Sequence, residues 1–338
     1  MPITRKIMGV SRGGRIFTSA LTANGTIASG TNPFGVCISA DGASVYTVNN
    51  SAYTVSIFTR NTSTGALSGT STIATGTGPL NICISADGAS VYAVNLNGAT
   101  VSIFTRNTST GALSGTTTIA TGTGPRSICI SADGANVYTT NYTSNTVSIF
   151  TRNTSTGALS GTSTIATGTN PYGVCISADG ANVYATNYGS ATVSIFTRNT
   201  STGALSGTST IATGTSPWDV CISADGANVY ATNNASNTVS IFTRNTSTGA
   251  LSGTSTIATG SAPRRICIPP DGQSVYATNN GDYTVSIFAR NTSTGALSGT
   301  STIASSTDSI TGIGISADGT SVYVGNQSDS TISIFTRS

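Results

Sequence analysis

The sequence contains no histidine and no glutamate, and it has little charge of either sign. Its 338 residues include 13 Arg, one Lys and 11 Asp, so charged residues make up 7% of the chain and the net charge is +3. The missing histidine excludes a Ser-His-Asp triad, a Cys-His dyad and an imidazole metal ligand. The missing glutamate leaves aspartate as the only side-chain carboxylate for acid–base chemistry. The small net charge gives little reason to expect nucleic-acid binding.

Long apolar runs are also missing. No window approaches the roughly 18 consecutive apolar residues of a membrane span. The basic N-terminus, MPITRKIMGVSRGG, lacks the apolar stretch of a secretory signal. We therefore expect no membrane insertion and a cytoplasmic or virion- or assembly-associated location, with export without a leader left open. Residues 1–15 are expected to form a basic tail, followed by one domain over residues 16–338.

What the sequence has in abundance is repetition. An Asp-Gly turn recurs at 46-residue spacing from Asp41 to Asp271 and once more, after 47 residues, at Asp318. Residues 54–78 and 146–170 are identical at 24 of 25 positions. A period of 40–50 residues is typical of propellers and related repeat folds, so the chain is predicted to consist of seven near-identical units.

Each unit contains four strand-like runs, as in residues 82–85, 91–95, 100–105 and 116–120. The Asp-Gly and Ser-Thr-Gly turns between them suit tight antiparallel hairpins. Four short strands per repeat predict an all-β, seven-bladed β-propeller with four antiparallel strands per blade. The chain stops after the third strand of the seventh unit, and residues 19–30 resemble the missing fourth strand. They are expected to complete the last blade and close the ring.

The residues also carry a family resemblance. The run from Pro171 to Gly180, then Val183–Gly189 and Thr192–Phe196, resembles the YVTN repeat and the lactonase-type (6-phosphogluconolactonase-like) seven-bladed propellers. The resemblance covers nearly all of the chain from residue 19 onward, and it implies the propeller fold. It also implies polar catalytic residues, including His and Glu, at a central pocket. This sequence contains neither, so no catalytic residue is carried over.

The six cysteines occupy one position of successive repeats, at 46-residue spacing from Cys37 to Cys267. Equivalent positions in neighbouring blades are expected to lie too far apart for a disulfide, so the cysteines are predicted to be free and apolar in role. No metal site and no cofactor are expected, because metal ligation needs clustered ligands. The repeated Asp and Arg sets are expected to share one face of the ring and to pair there.

The seven copies differ almost wholly in two loops per unit. One precedes the first strand and the other joins the second and third strands, so both are predicted to lie on one face, which we call the variable face. Five Tyr outside the repeated positions, Phe34 and the single Trp fall in these loops, together with three Arg and four Asp. These residues are Phe34, Tyr53, Tyr142, Tyr172, Tyr188, Trp218, Tyr283, Arg126, Arg264, Arg265, Asp219, Asp282, Asp308 and Asp329.

Aromatic and arginine side chains on loops are typical of recognition surfaces. We therefore expect a non-enzymatic scaffold that binds a ligand, glycan or protein through the variable face. A structural component of a surface layer, virion or larger assembly is the alternative. A lactonase-like hydrolase using Asp219, Asp308 or an Arg-activated water is the third hypothesis. The candidate contact residues are Phe34, Arg126, Tyr142, Tyr172, Tyr188, Trp218, Asp219, Arg264, Arg265 and Tyr283.

Overall fold

The computed structural model describes residues 19–337, which form 28 strands in seven four-stranded antiparallel sheets. The predicted seven-bladed propeller is confirmed. Over the described range no helix has the length and hydropathy needed to span a bilayer. The expected basic tail, residues 1–15, lies outside the described residues.

The strands follow the repeat in chain order. The closing strand is β1 (Leu21–Ala28). Blades one to three are β2 (Pro33–Ile38), β3 (Ser44–Asn49), β4 (Thr54–Arg60), β5 (Leu67–Ala74); β6 (Pro79–Ile84), β7 (Ser90–Asn95), β8 (Thr100–Arg106), β9 (Leu113–Ala120); and β10 (Pro125–Ile130), β11 (Asn136–Asn141), β12 (Thr146–Arg152), β13 (Leu159–Ala166). Blades four and five are β14 (Pro171–Ile176), β15 (Asn182–Asn187), β16 (Thr192–Arg198), β17 (Leu205–Ala212); and β18 (Pro217–Ile222), β19 (Asn228–Asn233), β20 (Thr238–Arg244), β21 (Leu251–Ala258). Blades six and seven are β22 (Pro263–Cys267), β23 (Ser274–Asn279), β24 (Thr284–Arg290), β25 (Leu297–Ala304); and β26 (Ile310–Ile315), β27 (Ser321–Asn326), β28 (Thr331–Arg337), which β1 completes.

The ring closes through the two ends of the described chain. Strand β1 pairs antiparallel with β28, in a register that runs from Leu21 opposite Arg337 to Ala28 opposite Thr331. This is the pairing predicted from the sequence. It gives the seventh sheet its fourth strand and covers the edge of β28.

The apolar cores lie between neighbouring blades. In one of them, Tyr46 and Val55 of the first blade pack against Ile82 and Phe104 of the second, and all four side chains are buried. The same arrangement recurs around the ring, because each blade presents β-branched and aromatic residues from its inner and middle strands. Each blade therefore buries its faces against two neighbours.

A buried arginine ties each blade to the one before it. Arg106 at the end of β8 donates from Nε to the Tyr46 hydroxyl at 2.6 Å and pairs through Nη2 with Asp41 at 3.0 Å. The Tyr46 hydroxyl in turn donates to the carbonyl of Gly111 at 2.7 Å. We call this Arg–Tyr–Asp arrangement the inter-blade clasp. It also spans the closure, where Arg60 bonds Tyr323 at 2.7 Å and Asp318 at 3.1 Å.

The expected pairing of the Arg and Asp sets is thus present, and it joins neighbouring blades. The Arg106 side chain is 1% exposed and its Asp41 partner 43% exposed, so the arginine is buried and the carboxylate faces solvent. Burial alone would raise the pKa of Asp41, but hydrogen bonds from Ser39 and Ala43 and the Arg106 guanidinium hold that pKa below its ordinary value. The carboxylate therefore stays ionised to lower pH than an isolated aspartate.

The two variable loops of each blade lie together at one end of the ring. In the first blade the Asn50 amide, after the second strand, donates to the Asn32 carbonyl, before the first strand, at 2.8 Å. The turns of nearly constant sequence meet at the other end, where the Arg60 amide donates to the Ala43 carbonyl at 2.8 Å. The inner strands run between these two faces beside the propeller axis.

Tyr46→Phe tests the inter-blade clasp. The variant keeps the ring in the core but removes the hydroxyl that satisfies both the Arg106 Nε and the Gly111 carbonyl. Leaving these buried groups unpaired is expected to lower the free energy of unfolding by about 1–3 kcal/mol, measured by urea denaturation. Tyr53→Phe, at a ring that is 43% exposed, is the control and should leave the midpoint unchanged. Equal midpoints for both variants would contradict the clasp's role.

Candidate functional site

The inner strands bring two rings of side chains to the axis, and the seven copies differ at both. The second residue of each inner strand forms what we call the mouth ring, which consists of Phe34, Leu80, Arg126, Tyr172, Trp218, Arg264 and Thr311. The following residue forms the chamber ring, which consists of Gly35, Asn81, Ser127, Gly173, Asp219, Arg265 and Gly312. Apolar residues such as Val36, Val174 and Val220 follow and lie deeper.

Three spaces lie along this part of the axis. The vestibule on the variable face has a volume of about 240 Å³ and is lined by mouth-ring residues with Asn50, Leu96 and Gln327. Below it, a neck of about 10 Å³ is enclosed by mouth-ring side chains and by Arg265. The chamber ring surrounds a polar space of about 170 Å³, which we call the chamber. Arg265 lines both the neck and the chamber, so it links the two.

Four consecutive blades contribute a row of cationic and aromatic side chains to the mouth ring. The Tyr172 and Trp218 rings form a tilted stack, with their centroids 4.1 Å apart and their planes at 38° to each other. The Arg126 guanidinium lies 5.1 Å from the Tyr172 centroid, and the Arg264 guanidinium lies 4.9 Å from the Trp218 centroid. Aromatic faces attract cations through their quadrupole, so the stack holds the two arginines at its two ends.

Both arginines carry unused hydrogen-bonding capacity. The Nε atoms of Arg126 and Arg264 are buried, and neither finds a hydrogen-bond partner within residues 19–337. Burial lowers the pKa of Arg264, while burial raises the pKa of the neighbouring Tyr172. An arginine pKa lies so far above neutrality that the group stays charged. The vestibule therefore has two positive groups whose donors an anion could satisfy.

The chamber holds one buried ion pair. Asp219 and Arg265 are each 9% exposed, and the Arg265 Nη1 lies 3.5 Å from the Asp219 Oδ1. The Ile266 amide donates to Asp219 Oδ2 at 3.3 Å. The preceding blade makes room with Gly173, where a Cβ would lie 2.7 Å from the Asp219 Cα. Gly173, Asp219 and Arg265, which occupy the same position in three successive blades, therefore pack as a unit.

Burial raises the pKa of Asp219, although the Arg265 charge and the backbone amides of Ile266 and Val220 oppose the shift. A carboxyl group with a raised pKa exchanges its proton more readily near neutral pH than an ordinary aspartate does. Arg265 beside it supplies N–H donors toward negative charge that develops in the chamber. The pair therefore combines an acid–base group with an anion-stabilising group.

Threonine hydroxyls on the second strands hydrogen-bond the backbone of mouth-ring and chamber-ring residues. The Thr232 hydroxyl accepts from the Asp219 amide at 3.1 Å and donates to the Arg264 carbonyl at 2.6 Å. Thr186 does the same for Gly173 and the Trp218 carbonyl. Blades one and two have Val48 and Val94 at this position. The sequence analysis missed these threonines, although the change from valine to threonine between copies was a visible signal.

The structure brings most of the predicted contact residues together. Tyr142 and Tyr188 extend the aromatic cluster, at centroid distances of 6.1 Å from Tyr172 and 6.0 Å from Trp218. Asp219 and Arg265 lie in the chamber beneath the variable face. Tyr283 lies apart, in the loop before β24, and lines none of these three spaces. Asn81 and Ser127 complete the polar part of the chamber and were absent from the prediction.

Two other features of the described residues bear on the site. Between residues 19 and 337, no three His, Cys, Asp or Glu side chains cluster as a metal site requires. All six cysteines are free, and burial raises the pKa of the Cys83 thiol to about 12. A cavity of about 850 Å³ lies on the other face beside Ser19 and the turns at Asp225 and Asp271. It adjoins the first described residue, and its lining belongs to the repeated turns.

Comparison with protein families matches this chain to the model described as "Lactonase, 7-bladed beta-propeller", over residues 17–125, 70–176, 115–267, 212–311 and 264–338. The chain belongs to this family. A search of curated proteins found no match.

Solved structures share the fold. A putative 6-phosphogluconolactonase from Bacteroides fragilis is 24% identical, with a TM-score of 0.71 over 79% of this chain and 82% of that one. The periplasmic gluconolactonase of Pseudomonas aeruginosa is 18% identical, with a TM-score of 0.70 over 80% and 85%. Kuenenia stuttgartiensis hydrazine synthase is 19% identical, with a TM-score of 0.73 over 97% and 99%. Likeness at this level of identity establishes the architecture.

Membership in the lactonase family overturns two expectations. The prediction of a non-enzymatic scaffold, with a structural component as its alternative, was wrong, and so was the prediction that the protein is not an enzyme. The scaffold prediction was based on the aromatic and arginine residues of the variable loops, and the exclusion of an enzyme on the missing His and Glu. The absence of His and Glu does not exclude catalysis, because a buried aspartate beside an arginine can supply acid–base and anion-stabilising groups without either residue.

Proposed function

We propose that this protein hydrolyses a sugar lactone that carries an anionic group. The observation that carries the proposal is the buried Asp219–Arg265 pair in the chamber, 3.5 Å apart and with the pKa of Asp219 raised by burial. Family membership supports lactone chemistry. The two arginines that flank the Tyr172–Trp218 stack support an anionic substituent.

In the proposed reaction, the Asp219 carboxylate takes a proton from a water molecule as the water oxygen bonds to the lactone carbonyl carbon. The carbonyl π electrons move to its oxygen, and Arg265 stabilises the resulting oxyanion. When the carbonyl re-forms, the bond from the carbonyl carbon to the ring oxygen breaks, and that oxygen takes the proton from Asp219. Lactone and water become one hydroxy acid, and Asp219 returns to its starting state.

The vestibule would hold the substrate's anionic group. Two charged arginines and an aromatic stack suit a phosphate or carboxylate on a partly apolar sugar. The neck of about 10 Å³ has room for about one water molecule, which needs about 10–15 Å³ of such space. A lactone ring entering from the variable face therefore needs mouth-ring side chains such as Trp218 and Arg264 to turn aside.

Asp219→Asn tests the general base. The amide has nearly the same shape but accepts no proton from water, so kcat/KM for glucono-δ-lactone is expected to fall by about 100-fold or more. The rate is measured by acid release in a pH-stat, with the uncatalysed rate subtracted. Asp308→Asn changes the same residue type at an exposed loop position and is the control. Loss of turnover in both variants, or in neither, would remove Asp219 from the mechanism.

The pH profile of the reaction tests the coupling between Asp219 and Arg265. The base form of Asp219 is required, so kcat/KM should fall with decreasing pH through the raised pKa, above the ordinary aspartate value of about 4. Arg265→Gln removes the charge that opposes this rise, so the pKa of Asp219 climbs and the acid limb moves to higher pH. An acid limb that stays in place in Arg265→Gln would contradict the coupling.

Arg126→Gln and Arg264→Gln test the vestibule. Each is expected to raise KM for 6-phosphogluconolactone by about 10-fold or more, because a charge-assisted hydrogen bond is lost. Glucono-δ-lactone, which lacks the phosphate, serves as the matched substrate and should keep its KM. Equal increases for both substrates would indicate that the arginines support the aromatic stack and do not bind the anion.

A further inference from the structure

The chamber ring has a second polar pair opposite the first. Around the ring, Gly35, Asn81 and Ser127 occupy three successive blades, as Gly173, Asp219 and Arg265 do further on. Gly35 makes room for Asn81 as Gly173 does for Asp219, since a Cβ on Gly35 would lie 2.8 Å from the Asn81 Cα. The proposed reaction uses the charged pair and leaves the neutral pair without a role.

The neutral pair has a fixed orientation. The Ile82 amide donates to the Asn81 Oδ1 at 2.9 Å, which turns the amide nitrogen of that side chain toward Ser127. The Asn81 Nδ2 then donates to the Ser127 Oγ at 2.9 Å. Because Ser127 accepts this bond, its own hydroxyl proton must point elsewhere.

Within residues 19–337 the Ser127 Oγ accepts the bond from Asn81 and donates none, and the residue is 2% exposed. The Ser127 amide is already satisfied by Thr140, at 3.1 Å. A buried donor without a partner costs free energy, so the chamber that Ser127 lines is where a water or ligand oxygen would satisfy it. A space of about 170 Å³ is far larger than the roughly 10–15 Å³ that one water needs, so it holds several waters or a small ring in their place.

From this geometry we infer that Ser127, oriented by Asn81, donates a hydrogen bond to a hydroxyl oxygen of the substrate and so selects hydroxylated lactones over plain ones. The inference rests on the proposed function for the identity of the ligand. Ser127 takes no proton and forms no covalent bond in this role. It is a specificity residue, and Asn81 is its positioning residue.

Binding of two stable lactams tests this role without requiring turnover. Glucono-δ-lactam and δ-valerolactam share the cyclic amide, but only the first carries hydroxyls. Wild-type protein should prefer glucono-δ-lactam in calorimetric titrations. Ser127→Ala should lower the affinity for that lactam by about 10-fold, because one hydrogen bond is lost, and leave the affinity for δ-valerolactam unchanged.

Asn81→Asp tests whether the orientation of the Ser127 hydroxyl matters, and not only its presence. The variant is nearly isosteric, but its carboxylate accepts a hydrogen bond where the amide nitrogen donated one. The Ser127 O–H should turn toward the carboxylate and no longer point into the chamber. The affinity for glucono-δ-lactam should therefore again fall about 10-fold, although Ser127 is still present. Thr139→Ala removes another buried hydroxyl of the same blade, one with no partner, and introduces the residue found at that position in four other blades. It is the control and should bind both lactams as wild type does.

Several results would overturn the inference. These are a wild type that does not prefer glucono-δ-lactam, variants that bind it unchanged, or equal losses for both lactams. The melting temperature of each variant is measured alongside, and a Ser127→Ala protein that fails to fold leaves Asn81→Asp to decide. Absence of lactone turnover by wild type would contradict the proposed hydrolase activity but not this binding preference. Failure of the proposed function and failure of the inference are therefore distinguishable.

Discussion

The fold depends on the buried arginine that joins each blade to its neighbour. Arg106 satisfies a tyrosine hydroxyl and an aspartate of the preceding blade while its own side chain stays 1% exposed. An unpaired buried guanidinium would be strongly destabilising, so this residue fixes how adjacent sheets meet. Seven such contacts close the circle, and none of them uses a mouth-ring or chamber-ring residue. Those residues are therefore free to differ between copies.

The candidate site uses that freedom around the axis. All charged residues of the two rings, together with Asn81, Ser127, Tyr172 and Trp218, come from blades two to six. The first and seventh blades bring Phe34, Gly35, Thr311 and Gly312. Glycines at Gly35 and Gly173 let neighbouring strands approach, and threonines such as Thr232 hold the backbone that presents Asp219 and Arg264. The scaffold is thus seven-fold while the chemistry is asymmetric, as a chiral substrate requires.

Sequence reasoning predicted the fold well, because each turn, hairpin and inter-blade pair is repeated and the closing strand is a recognisable copy. It placed Trp218 and Asp219 in a loop, whereas both lie in β18, which begins at Pro217. The register of β18 against β19 shifts between Pro217 and Val220. Such an irregularity breaks the alternation of side chains, so a period of two could not indicate which residue faces the axis. Asn81 and Ser127 were missed for the same reason.

A crystal structure of the protein with a phosphorylated glucono-δ-lactam tests the proposed site most directly. We expect the lactam ring in the chamber, with its carbonyl beside Arg265, a hydroxyl on Ser127 and the phosphate in the vestibule with Arg126 and Arg264. Trp218 or Arg264 should have moved to widen the neck. Lactam density on the opposite face, or a ligand held in the vestibule with no contact to Asp219 or Arg265, would contradict this binding mode.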